Sequence, residues 1–380
     1  MPDTTRILAL NAGSSSLKFA LYEMGASRKR LLTGKAERIA TAADAGTAAE
    51  RILDWLGAQG DGGHLDAIGH RCVFGGPGRV KPAWLDAELL DSLSGFVGQD
   101  PEYMPNTLAV IEAARERHPG LAQYVCFDTA FHATMPRLAR LYPLPPELEA
   151  EGVVRHGFHG LSCESVLQEL ARQVRPETVA GRLVIAHLGS SSSLTAVRNG
   201  RSVDTTMGIS PAGGIMMGTR SGDLDPGVYQ YLARQRHLSP DGIDELVNRR
   251  SGLAGMSGLG ADMRDLLAAE RASPRAADAV GLFCYQCRKA VGGLAAALGG
   301  LDELVFTGGI GENCPAVRAR ICEGLLHLGV ALDAVLNAEP SGVVSGAGSL
   351  VRVRVIKTRE ERQIAEHGAA LIRQREGVPA

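Results

Sequence analysis

The sequence predicts an α/β protein whose two halves repeat one design. Two stretches carry this prediction: ILALNAGSSSLKFALYE, which begins at Ile7, and LVIAHLGSSSSLTAVRNG, which begins at Leu183. In each stretch an apolar run precedes a glycine, three or four serines and a second alternating run. Gly13 and Gly189 lie 176 residues apart (189 − 13), close to half of the 380-residue chain. Two unrelated serine-rich hairpins are the alternative, but the matching order of the parts favours a duplication.

The predicted elements alternate between strand and helix patterns, which is typical of α/β layers. Apolar runs and period-two alternation predict strands at Ile7–Leu10, Leu17–Tyr22, Ala67–Cys72, Tyr124–Phe127, Leu183–His187, Leu194–Val197, Glu303–Thr307 and Leu350–Ile356. Helical spacing between them predicts helices at Ala48–Gln59, Asn106–His118, Ser162–Arg172, Gly227–Arg234, Ile243–Arg249, Ala276–Leu298 and Pro315–Leu328. Each half therefore opens with strand, Gly-Ser turn and strand.

Composition narrows the class of protein. A hydrophobic content of 45% and a charged content of 22% are those of an ordinary globular chain, and its length suggests about two or three domains. A net charge of −2 gives no electrostatic reason to bind nucleic acid or an anionic membrane. No apolar run approaches the roughly 18 residues of a membrane span, and MPDTTRILAL lacks a signal-peptide pattern. Seven scattered cysteines fit reduced thiols and a cytoplasmic location.

Two residue pairs and one single residue suggest metal, redox or catalytic chemistry, but each has a simpler interpretation. Cys284 and Cys287 form a CYQC pair in a helical segment without a second such pair, so we expect small buried residues. His156 and His159 are three apart, but a zinc site needs more ligands than these two. His132, close behind Asp128, is expected to be structural rather than catalytic.

The glycine turns suggest phosphate binding. Glycine lets the backbone approach a ligand, and consecutive N–H groups in a turn form an anion-binding concavity. A third cluster follows the predicted strand ELVFT, at Gly308, Gly309 and Gly311, and Asn313 is expected to cap a helix from Pro315. The chain has neither a P-loop nor a Rossmann G-x-G-x-x-G motif. A nucleotide, if bound, is therefore held by another kind of site.

Polar residues that suit phosphoryl transfer follow predicted strands or lie in glycine-rich loops. They are Arg71, Asp128, His159, Arg220 and Glu360. Open α/β sheets bind ligands at the carboxyl ends of their strands. Transfer of a phosphoryl group needs positive charge, metal and alignment, and arginine offers a bidentate fork for carboxylate or phosphate. Singly, each residue could be a surface arginine or a turn cap, so the argument rests on their joint occurrence.

These motifs make the chain similar to the acetate kinase family from end to end. The motifs are NAGSSSLKF, GHRCVFGG, FDTAFH, RHGFHG, VDTTMG, MMGTRSGDLDPG, DMRD, FTGGIGEN and KTREE. The resemblance implies a duplicated two-domain fold like that of actin and the sugar kinases, ribonuclease H-like, with a nucleotide cleft between the domains. It implies an N-terminal, acyl-substrate-side domain of residues 1–150 plus 362–380. Residues 151–361 would form the nucleotide-binding domain.

The implied reaction is a direct in-line transfer from ATP to a short carboxylate, acetate favoured, giving an acyl phosphate and ADP. Mg²⁺ or Mn²⁺ is the implied cofactor, and a cytoplasmic homodimer is the implied state. A propionate or butyrate kinase is the alternative within the class. A non-catalytic, nucleotide-binding regulatory protein of the same fold is the alternative from another class. Joint retention of Arg71, Asp128, Arg220 and Glu360 favours an enzyme.

The resemblance also implies a role for each matching residue. The catalytic residues are Asp128, His159 and Arg220. The acyl substrate is bound by Arg71, Val73, Phe158 and Pro211. The metal site contains Asn11 and Glu360. The nucleotide is bound by Lys18, His187, Leu188, Gly189, Ser190, Ser191, Asp262, Met263, Arg264, Gly308, Gly309, Ile310, Gly311 and Glu312.

The chain departs from the family pattern at several positions, and five of these bear on the predicted site. Ser190 and Ser191 replace Asn and Gly in the nucleotide loop, Phe74 and Cys163 each replace a histidine, and Glu102 replaces an apolar residue of the acyl pocket. A charged carboxylate about 5 Å from the substrate carboxylate would cost roughly 3 kcal/mol at an effective dielectric near 20. We therefore expect Glu102 to point away from the acyl tail or to pair with a basic side chain.

Overall fold

The computed structural model describes residues 4–58, 64–76, 78–98, 100–339 and 342–377. Gln59, the predicted end of the first helix, lies outside the described residues, as do the outer ends of the predicted N-terminal domain at 1–3 and 378–380. Two mixed sheets form within the described residues. None of the described helices is both long enough and apolar enough to cross a membrane.

The first sheet contains six strands among the described residues, in the order β3-β2-β1-β4-β6-β5. They are Thr5–Ala12 (β1), Ser16–Met24 (β2), Arg28–Glu37 (β3), Ala67–Cys72 (β4), Ala83–Trp84 (β5) and Gln123–Phe127 (β6). Strands β1, β2 and β3 form an antiparallel meander. Strand β4 is parallel to both β1 and β6, so the carboxyl ends of these three strands lie at one edge.

The second sheet repeats this topology with five strands, in the order β11-β10-β7-β8-β9. They are Arg182–Leu188 (β7), Ser192–Arg198 (β8), Arg201–Thr205 (β9), Glu303–Thr307 (β10) and Arg352–Val355 (β11). Strands β7, β8 and β9 are antiparallel, and β10 is parallel to β7 and β11. The order β9-β8-β7-β10-β11 matches β3-β2-β1-β4-β6 strand for strand. The predicted duplicated α/β fold is therefore confirmed.

The helices of the described residues lie between and after these strands. They are Ala42–Gly57 (α1), Ala87–Ser94 (α2), Met104–Arg117 (α3), Arg137–Arg140 (α4), Pro146–Ala150 (α5), Gly160–Gln173 (α6), Pro176–Ala180 (α7), Pro226–Arg234 (α8), Pro240–Arg249 (α9), Gly252–Ser257 (α10), Met263–Ala269 (α11), Pro274–Leu298 (α12), Gly308–Asn313 (α13), Pro315–Glu323 (α14), Ala334–Ala338 (α15) and Glu360–Arg375 (α16).

The chain divides into two units, each containing one sheet. The first comprises Met1–Phe131, Gly160–Ser165 and Arg359–Ala380, and the second His132–His159 and Val166–Thr358. The chain passes from one unit to the other between residues 131 and 132, 159 and 160, 165 and 166, and 358 and 359. The resemblance implied domain boundaries between residues 150 and 151 and between 361 and 362. The division describes packing alone, so the roles that the resemblance gives to the two predicted domains stay predictions.

The first sheet is covered on both faces, as alternation along β1 requires. Ile7 and Ala9 belong to one hydrophobic cluster with Ile364 of α16. Leu8 and Leu10 point to the opposite face and pack in a cluster with residues of α1 and α3. Asn11 continues the register of Ile7 and Ala9, so its side chain faces the start of α16.

The second sheet packs against α12, the longest helix of the described residues. Val184 and Ala186 of β7 share a hydrophobic cluster with Phe283 of this helix. Cys284 and Cys287 belong to the same cluster, and all seven cysteines are buried thiols outside any disulfide. The interpretation of CYQC as small buried residues is confirmed.

Several predicted boundaries were wrong. Strand β3 was missed because its residues are mostly exposed and polar, as suits an edge strand. The predicted helix to Leu328 ends at Glu323, where Gly324 follows. The predicted glycine turn after β10 is the short helix α13. Asn313 does not cap the next helix; its Nδ2 donates to the Gly309 carbonyl at 2.9 Å, and Cys314 takes the cap position.

Two glycines make room for Tyr124 between β4 and α16. The Tyr124 hydroxyl donates to the Ile364 carbonyl at 2.7 Å, which fixes the ring. A Cβ on Gly69 would lie 2.3 Å from the Tyr124 hydroxyl oxygen, and one on Gly368 would lie 2.2 Å from it. Helix α16 can therefore approach the sheet this closely only because Gly368 has no side chain.

We predict that Gly368→Ala destabilises the protein by about 1–3 kcal/mol, because overpacking outweighs the better helix propensity of alanine. Gly281→Ala, in exposed α12 surface where a Cβ meets nothing within 4 Å, is the matched control and should stabilise by about 0.5–1 kcal/mol. Urea unfolding of both variants measures the two effects. Equal effects of the two substitutions would contradict the packing argument.

Candidate functional site

In the first unit, polar residues gather where parallel strands end. Asn11 is the penultimate residue of β1, Arg71 that of β4, and Asp128 directly follows β6. Since β1, β4 and β6 run parallel, these side chains meet at one edge of the sheet. Three residues that lie far apart in sequence therefore form one cluster.

Arg71 and Asp128 form a buried ion pair. Arg71 donates from Nε at 2.9 Å and from Nη2 at 2.6 Å to Asp128 Oδ2, and from Nη1 to the Ala12 carbonyl at 3.2 Å. Asp128 is 1% exposed, and its Oδ1 is buried without a hydrogen-bond partner among the described residues. One carboxylate oxygen thus holds the arginine, and the other keeps its capacity to accept a hydrogen bond.

Burial and charge act in opposite directions on this pair. Burial raises the pKa of Asp128, and this exceeds the lowering effect of the adjacent Arg71 guanidinium. Burial lowers the pKa of Arg71, but the Asp128 and Glu360 carboxylates raise it further than burial lowers it. The guanidinium therefore stays charged, and Glu360 contributes to the negative potential around it.

Helix α16 brings two carboxylates to the end of β1. Asn11 Nδ2 donates to Glu360 Oε2 at 2.8 Å and to Glu361 Oε1 at 2.9 Å. Lys18, exposed on β2, lies directly opposite Asn11 in the antiparallel register and shares its face of the sheet. Glu361 was not among the predicted site residues; its position next to Glu360 was visible in KTREE, but its contact with Asn11 was not.

The residues around Asn11 suit a magnesium ion. The described part of the chain contains no cluster of three or more His, Cys, Asp or Glu residues that could hold a metal alone. Mg²⁺ is usually bound through one or two carboxylates, with waters and substrate phosphates completing its shell. Glu360 and Glu361 supply two carboxylates, and a half-turn of the Asn11 amide places its oxygen where Nδ2 lies. This donor set therefore fits the implied metal.

Val73 and Glu102 belong to the acyl side of the predicted site. Val73 directly follows β4 and is buried. Glu102 is half-buried and precedes Tyr103, whose ring centroid lies 5.9 Å from the Arg71 guanidinium carbon. The expectation that Glu102 faces away from the acyl tail stays a prediction.

In the second unit, the β7–β8 turn of Gly189–Ser191 is closed by its own serines. Ser192 Oγ accepts from the Gly189 N–H at 3.1 Å and donates to the Gly189 carbonyl at the same distance. The Ser190 carbonyl accepts from the Gly218 N–H at 3.0 Å. Ser191 Oγ accepts from Arg220 Nη1 at 3.2 Å, so a residue that departs from the family pattern contacts a predicted catalytic arginine.

His159 is held at the start of α6. Its backbone is left-handed, with φ of 60°, and its ring is buried. The ring stacks on that of His187 with centroids 4.1 Å apart, and Nδ1 lies 2.9 Å from Ser193 Oγ. Ser193 was not predicted as a site residue, although it ends the serine run that drew attention to this stretch.

His132 contacts two polar groups in the core, and the expectation that it is structural rather than catalytic stays a prediction. Its Nδ1 lies 3.0 Å from Ser202 Oγ and its Nε2 lies 2.8 Å from the Phe158 carbonyl. Burial lowers the pKa of His132 to about 4, so the ring is neutral near pH 7. Phe158 is itself 2% exposed.

Arg155 supports the loop that carries Pro211. Its Nη1 donates to three successive carbonyls, those of residues 205, 206 and 207, at 3.1, 3.0 and 3.0 Å. The Gly208 carbonyl accepts from the His156 N–H at 3.0 Å. Pro211 is half-buried in this loop. RHGFHG pointed to a functional turn, but this supporting role depends on carbonyls about 50 residues away.

The third glycine cluster lies beside the β7–β8 turn. Gly308 has φ of 78°, and a Cβ there would lie 2.7 Å from the Leu188 carbonyl oxygen. Glu312 Oε1 accepts from the N–H groups of Gly308 and Thr358, each at 3.1 Å. Burial raises the pKa of Glu312, while these donors oppose the shift. One oxygen of the Glu312 carboxylate therefore links the backbone at Gly308 to the backbone at Thr358.

The predicted residues 262–264 divide between surface and core. Asp262 caps α11 and accepts from Arg264 Nη2 at 2.6 Å, which helps to lower the pKa of Asp262 to about 2. Both side chains are largely exposed, whereas Met263 is 3% exposed and belongs to the core cluster that also contains Leu188. For Met263 and Leu188, only backbone atoms are available to a nucleotide.

The remaining departures from the family pattern are accommodated by packing. Phe74 is buried and meets Phe96 edge to face, with ring centroids 5.2 Å apart. Cys163 is 1% exposed within α6. At both positions a side chain that is often found buried in protein cores replaces the histidine of the family pattern.

The structure thus assembles the predicted residues within each unit. Asn11, Arg71, Asp128 and Glu360 form the group of the first unit. The group of the second unit is formed by His159, His187–Ser191, Arg220 and Gly308–Glu312. The sequence alone missed Glu361, Ser193 and Arg155, because their roles consist of contacts with distant residues.

Comparisons with known proteins agree on one family. The model of the acetokinase family matches residues 39–366. The acetate kinase of Rhizobium meliloti is 43% identical and aligns with 96% of this chain and 98% of its own length. The crystal structure of Porphyromonas gingivalis acetate kinase superimposes with a TM-score of 0.85 at 33% identity, covering 97% of this chain and 100% of that one. A propionate kinase structure from Francisella tularensis gives 0.85 at 31% identity, covering 96% and 98%.

Proposed function

The chain belongs to the acetokinase family, and from this premise we propose that it transfers the γ-phosphoryl group of ATP directly to acetate. Membership makes it an ATP-dependent carboxylate kinase, a phosphotransferase. The observation that carries the finer proposal is the Arg71–Asp128 pair, whose unpartnered Oδ1 lies at the strand ends that also hold Asn11 and Glu360. A site for a carboxylate next to a site for metal and phosphate is what this transfer requires.

Arg71 is suited to bind the acyl carboxylate. A guanidinium has five N–H donors, and Arg71 uses three of them, two on Asp128 and one on Ala12. One N–H on each terminal nitrogen is left, which matches the two oxygens of a carboxylate. The pair with Asp128 prevents the fork from rotating, so the acceptor oxygen is aligned before the nucleotide reacts.

Asp128 acts through position and charge in this proposal rather than as a base. A short carboxylic acid is already ionised at neutral pH, so the attacking oxygen carries no proton to be removed. Asp128 Oδ2 fixes Arg71, and Oδ1, which makes no hydrogen bond with the described residues, is proposed to face the reacting groups. Phosphoryl transfer depends mainly on such positioning and electrostatic stabilisation.

Arg220 and His159 supply the positive and polar groups on the nucleotide side. The transferred phosphoryl carries charge on its equatorial oxygens in the transition state, and a buried arginine stabilises that charge strongly. Arg220 is 4% exposed and is held by Ser191. The glycine turns at Gly189 and Gly308 are proposed to receive the remainder of the nucleotide.

Magnesium or manganese is proposed to bind at Glu360 and Asn11, with Glu361 as a further oxygen donor. When bound, the metal neutralises phosphate charge and orients the phosphate oxygens. The bonds from Asn11 Nδ2 to the two carboxylates, at 2.8 and 2.9 Å, show that all three side chains meet at one point. The start of α16 therefore has to pack on the first sheet for this site to form.

We predict that Arg220→Ala lowers kcat by at least about a hundredfold while ADP binding and the melting temperature change little, because arginines in this role contribute roughly 10³–10⁵ in rate. A coupled assay of acyl phosphate formation measures kcat, and calorimetry measures ADP binding. Arg236→Ala, at an exposed position of the same unit, is the control and should keep wild-type kcat. Near-wild-type kcat in Arg220→Ala would remove this residue from the mechanism.

We predict that Glu360→Gln raises the magnesium concentration needed for half-maximal activity by about tenfold or more, because a carboxylate is the stronger ligand for a hard cation. Titration with Mn²⁺ followed by electron paramagnetic resonance gives an independent readout of metal affinity. Glu376→Gln, at an exposed position after α16, is the control. An unchanged metal dependence in Glu360→Gln would count against the assignment.

Preference for acetate is proposed to depend on three apolar residues, Val73, Phe158 and Pro211. Glu102 is proposed to face away from the acyl tail or to pair with a basic group, because a carboxylate beside an anionic substrate would repel it. We predict that Glu102→Leu changes kcat/KM for acetate by less than about tenfold, equivalent to about 1.4 kcal/mol. Assays with acetate and propionate measure this, with Glu116→Leu on α3 as the control.

A gain of about a hundredfold for acetate in Glu102→Leu would overturn this proposal and indicate an acceptor that carries a hydroxyl or an amine. Preference for propionate or butyrate over acetate in the wild-type protein would favour the alternative within the class. Absence of acyl phosphate formation with all three acids would favour the regulatory alternative. The homodimer and the cytoplasmic location stay predictions from the resemblance.

A further inference from the structure

We propose that Ser193 and His187 together fix the orientation of the His159 ring, with Ser193 as a positioning residue for phosphoryl transfer. The inference rests on the proposed function, since it takes His159 to act on the transferred group. The inference adds Ser193 to the residues on which the reaction depends. The Ser193 hydroxyl contacts the histidine and need not contact the substrate.

The two supporting residues form one cross-strand pair. His187 of β7 and Ser193 of β8 lie directly opposite each other in the antiparallel register. Residues paired in this way have side chains on the same face of the sheet, with Cβ atoms about 4.5–5.5 Å apart. The pair therefore presents an imidazole ring and a hydroxyl side by side, and the His159 ring lies against both.

The two contacts constrain different motions of the ring. Stacking on His187, at 4.1 Å between centroids and 17° between planes, fixes the tilt of the His159 ring. The Nδ1–Ser193 Oγ contact of 2.9 Å selects which edge of the ring faces Ser193. A half-turn about χ2 keeps the ring plane, and with it the stacking, but exchanges Nδ1 for Cδ2, so the hydroxyl distinguishes two ring orientations that stacking alone does not.

The backbone at His159 is constrained independently of the side chain. Its left-handed conformation, with φ of 60°, costs an L-residue roughly 1–2 kcal/mol, and such strain persists where the surroundings impose it. Just before this residue, the N–H groups of His156 and Gly157 donate to the Gly208 carbonyl at 3.0 and 3.3 Å. The main chain therefore constrains the backbone at His159, while Ser193 and His187 act on the orientation of its ring.

Serine suits this position chemically. Its hydroxyl donates to a neutral Nδ1 and accepts from a protonated one, so the ring keeps its orientation in either state. Ser193 is 1% exposed, so bulk water is not available to replace the hydroxyl. Removal of the hydroxyl would leave Nδ1 without this partner in a buried place.

A second serine–histidine contact in the same unit provides a matched control. Ser202 Oγ lies 3.0 Å from His132 Nδ1, and both residues are 1% exposed. The proposed function gives His132 no part in the transfer, and its other ring nitrogen contacts the Phe158 carbonyl. Ser202→Ala and Ser193→Ala therefore remove the same chemical contact at the same depth, but only Ser193→Ala removes it from the proposed active-site histidine.

We expect Ser193→Ala to lower kcat about tenfold or more, with KM for ATP and acetate within about threefold of wild type. Ser202→Ala should lower the melting temperature to a similar extent and keep kcat within about twofold. This split between kcat and stability is not expected of a merely structural serine. A kcat within twofold of wild type in Ser193→Ala would overturn the positioning role.

A double-mutant cycle separates this inference from the proposed function. In a His159→Ala background, Ser193→Ala should change kcat by less than about twofold, because the hydroxyl has no ring left to orient. Losses that multiply would show that Ser193 acts otherwise and would overturn the inference. If kcat falls in His159→Ala but not in Ser193→Ala, only the role of Ser193 is overturned. If His159→Ala keeps near-wild-type kcat, the roles of both His159 and Ser193 are overturned.

Discussion

The packing of α16 on the first sheet is the interaction on which the first unit depends. It buries Ile364 against Ile7 and Ala9, and apolar burial of this kind is the main favourable term in folding. It also brings Glu360 to within 2.8 Å of Asn11, across a separation of 349 residues. The two carboxylates that are proposed to bind metal therefore lie beside Asn11 only when the last helix is docked, and the same packing places Glu360 where it contributes to the potential around Arg71.

The two units use the same hairpin for different purposes. In the first, the Gly13 N–H donates to the Ser16 carbonyl at 2.8 Å, and the strand before the turn presents Asn11. In the second, the Gly189 N–H contacts the hydroxyl of Ser192, and the strands on either side of the turn present the pair that holds His159. The duplicated fold has an equivalent set of strand ends in each unit. In the proposed function, the side chains at one set act on the carboxylate and the metal, and those at the other set act on the nucleotide.

Much of this arrangement follows from local chemistry and was predictable. Apolar runs determine strands such as Glu303–Thr307, which the structure reproduces to the residue, because burial on both faces selects such runs. The polar residues Arg71 and Asp128 follow two such strands, and parallel pairing obliges the strand ends to share an edge. Gly308 was identifiable because a positive φ and close approach to another backbone both exclude a side chain.

The sequence by itself therefore determined the repeated strand–turn–strand design, the strand ends and the residue types gathered there, since these depend on period and turn geometry within a few residues. Only the tertiary structure decided which distant groups complete the site: Glu361 on Asn11, Ser193 on His159, and Ser191 on Arg220. It also turned Asn313 back onto its own helix. The local sequence does not determine which partner each of these polar groups will bond to. Packing determines it, by bringing one partner within about 3 Å.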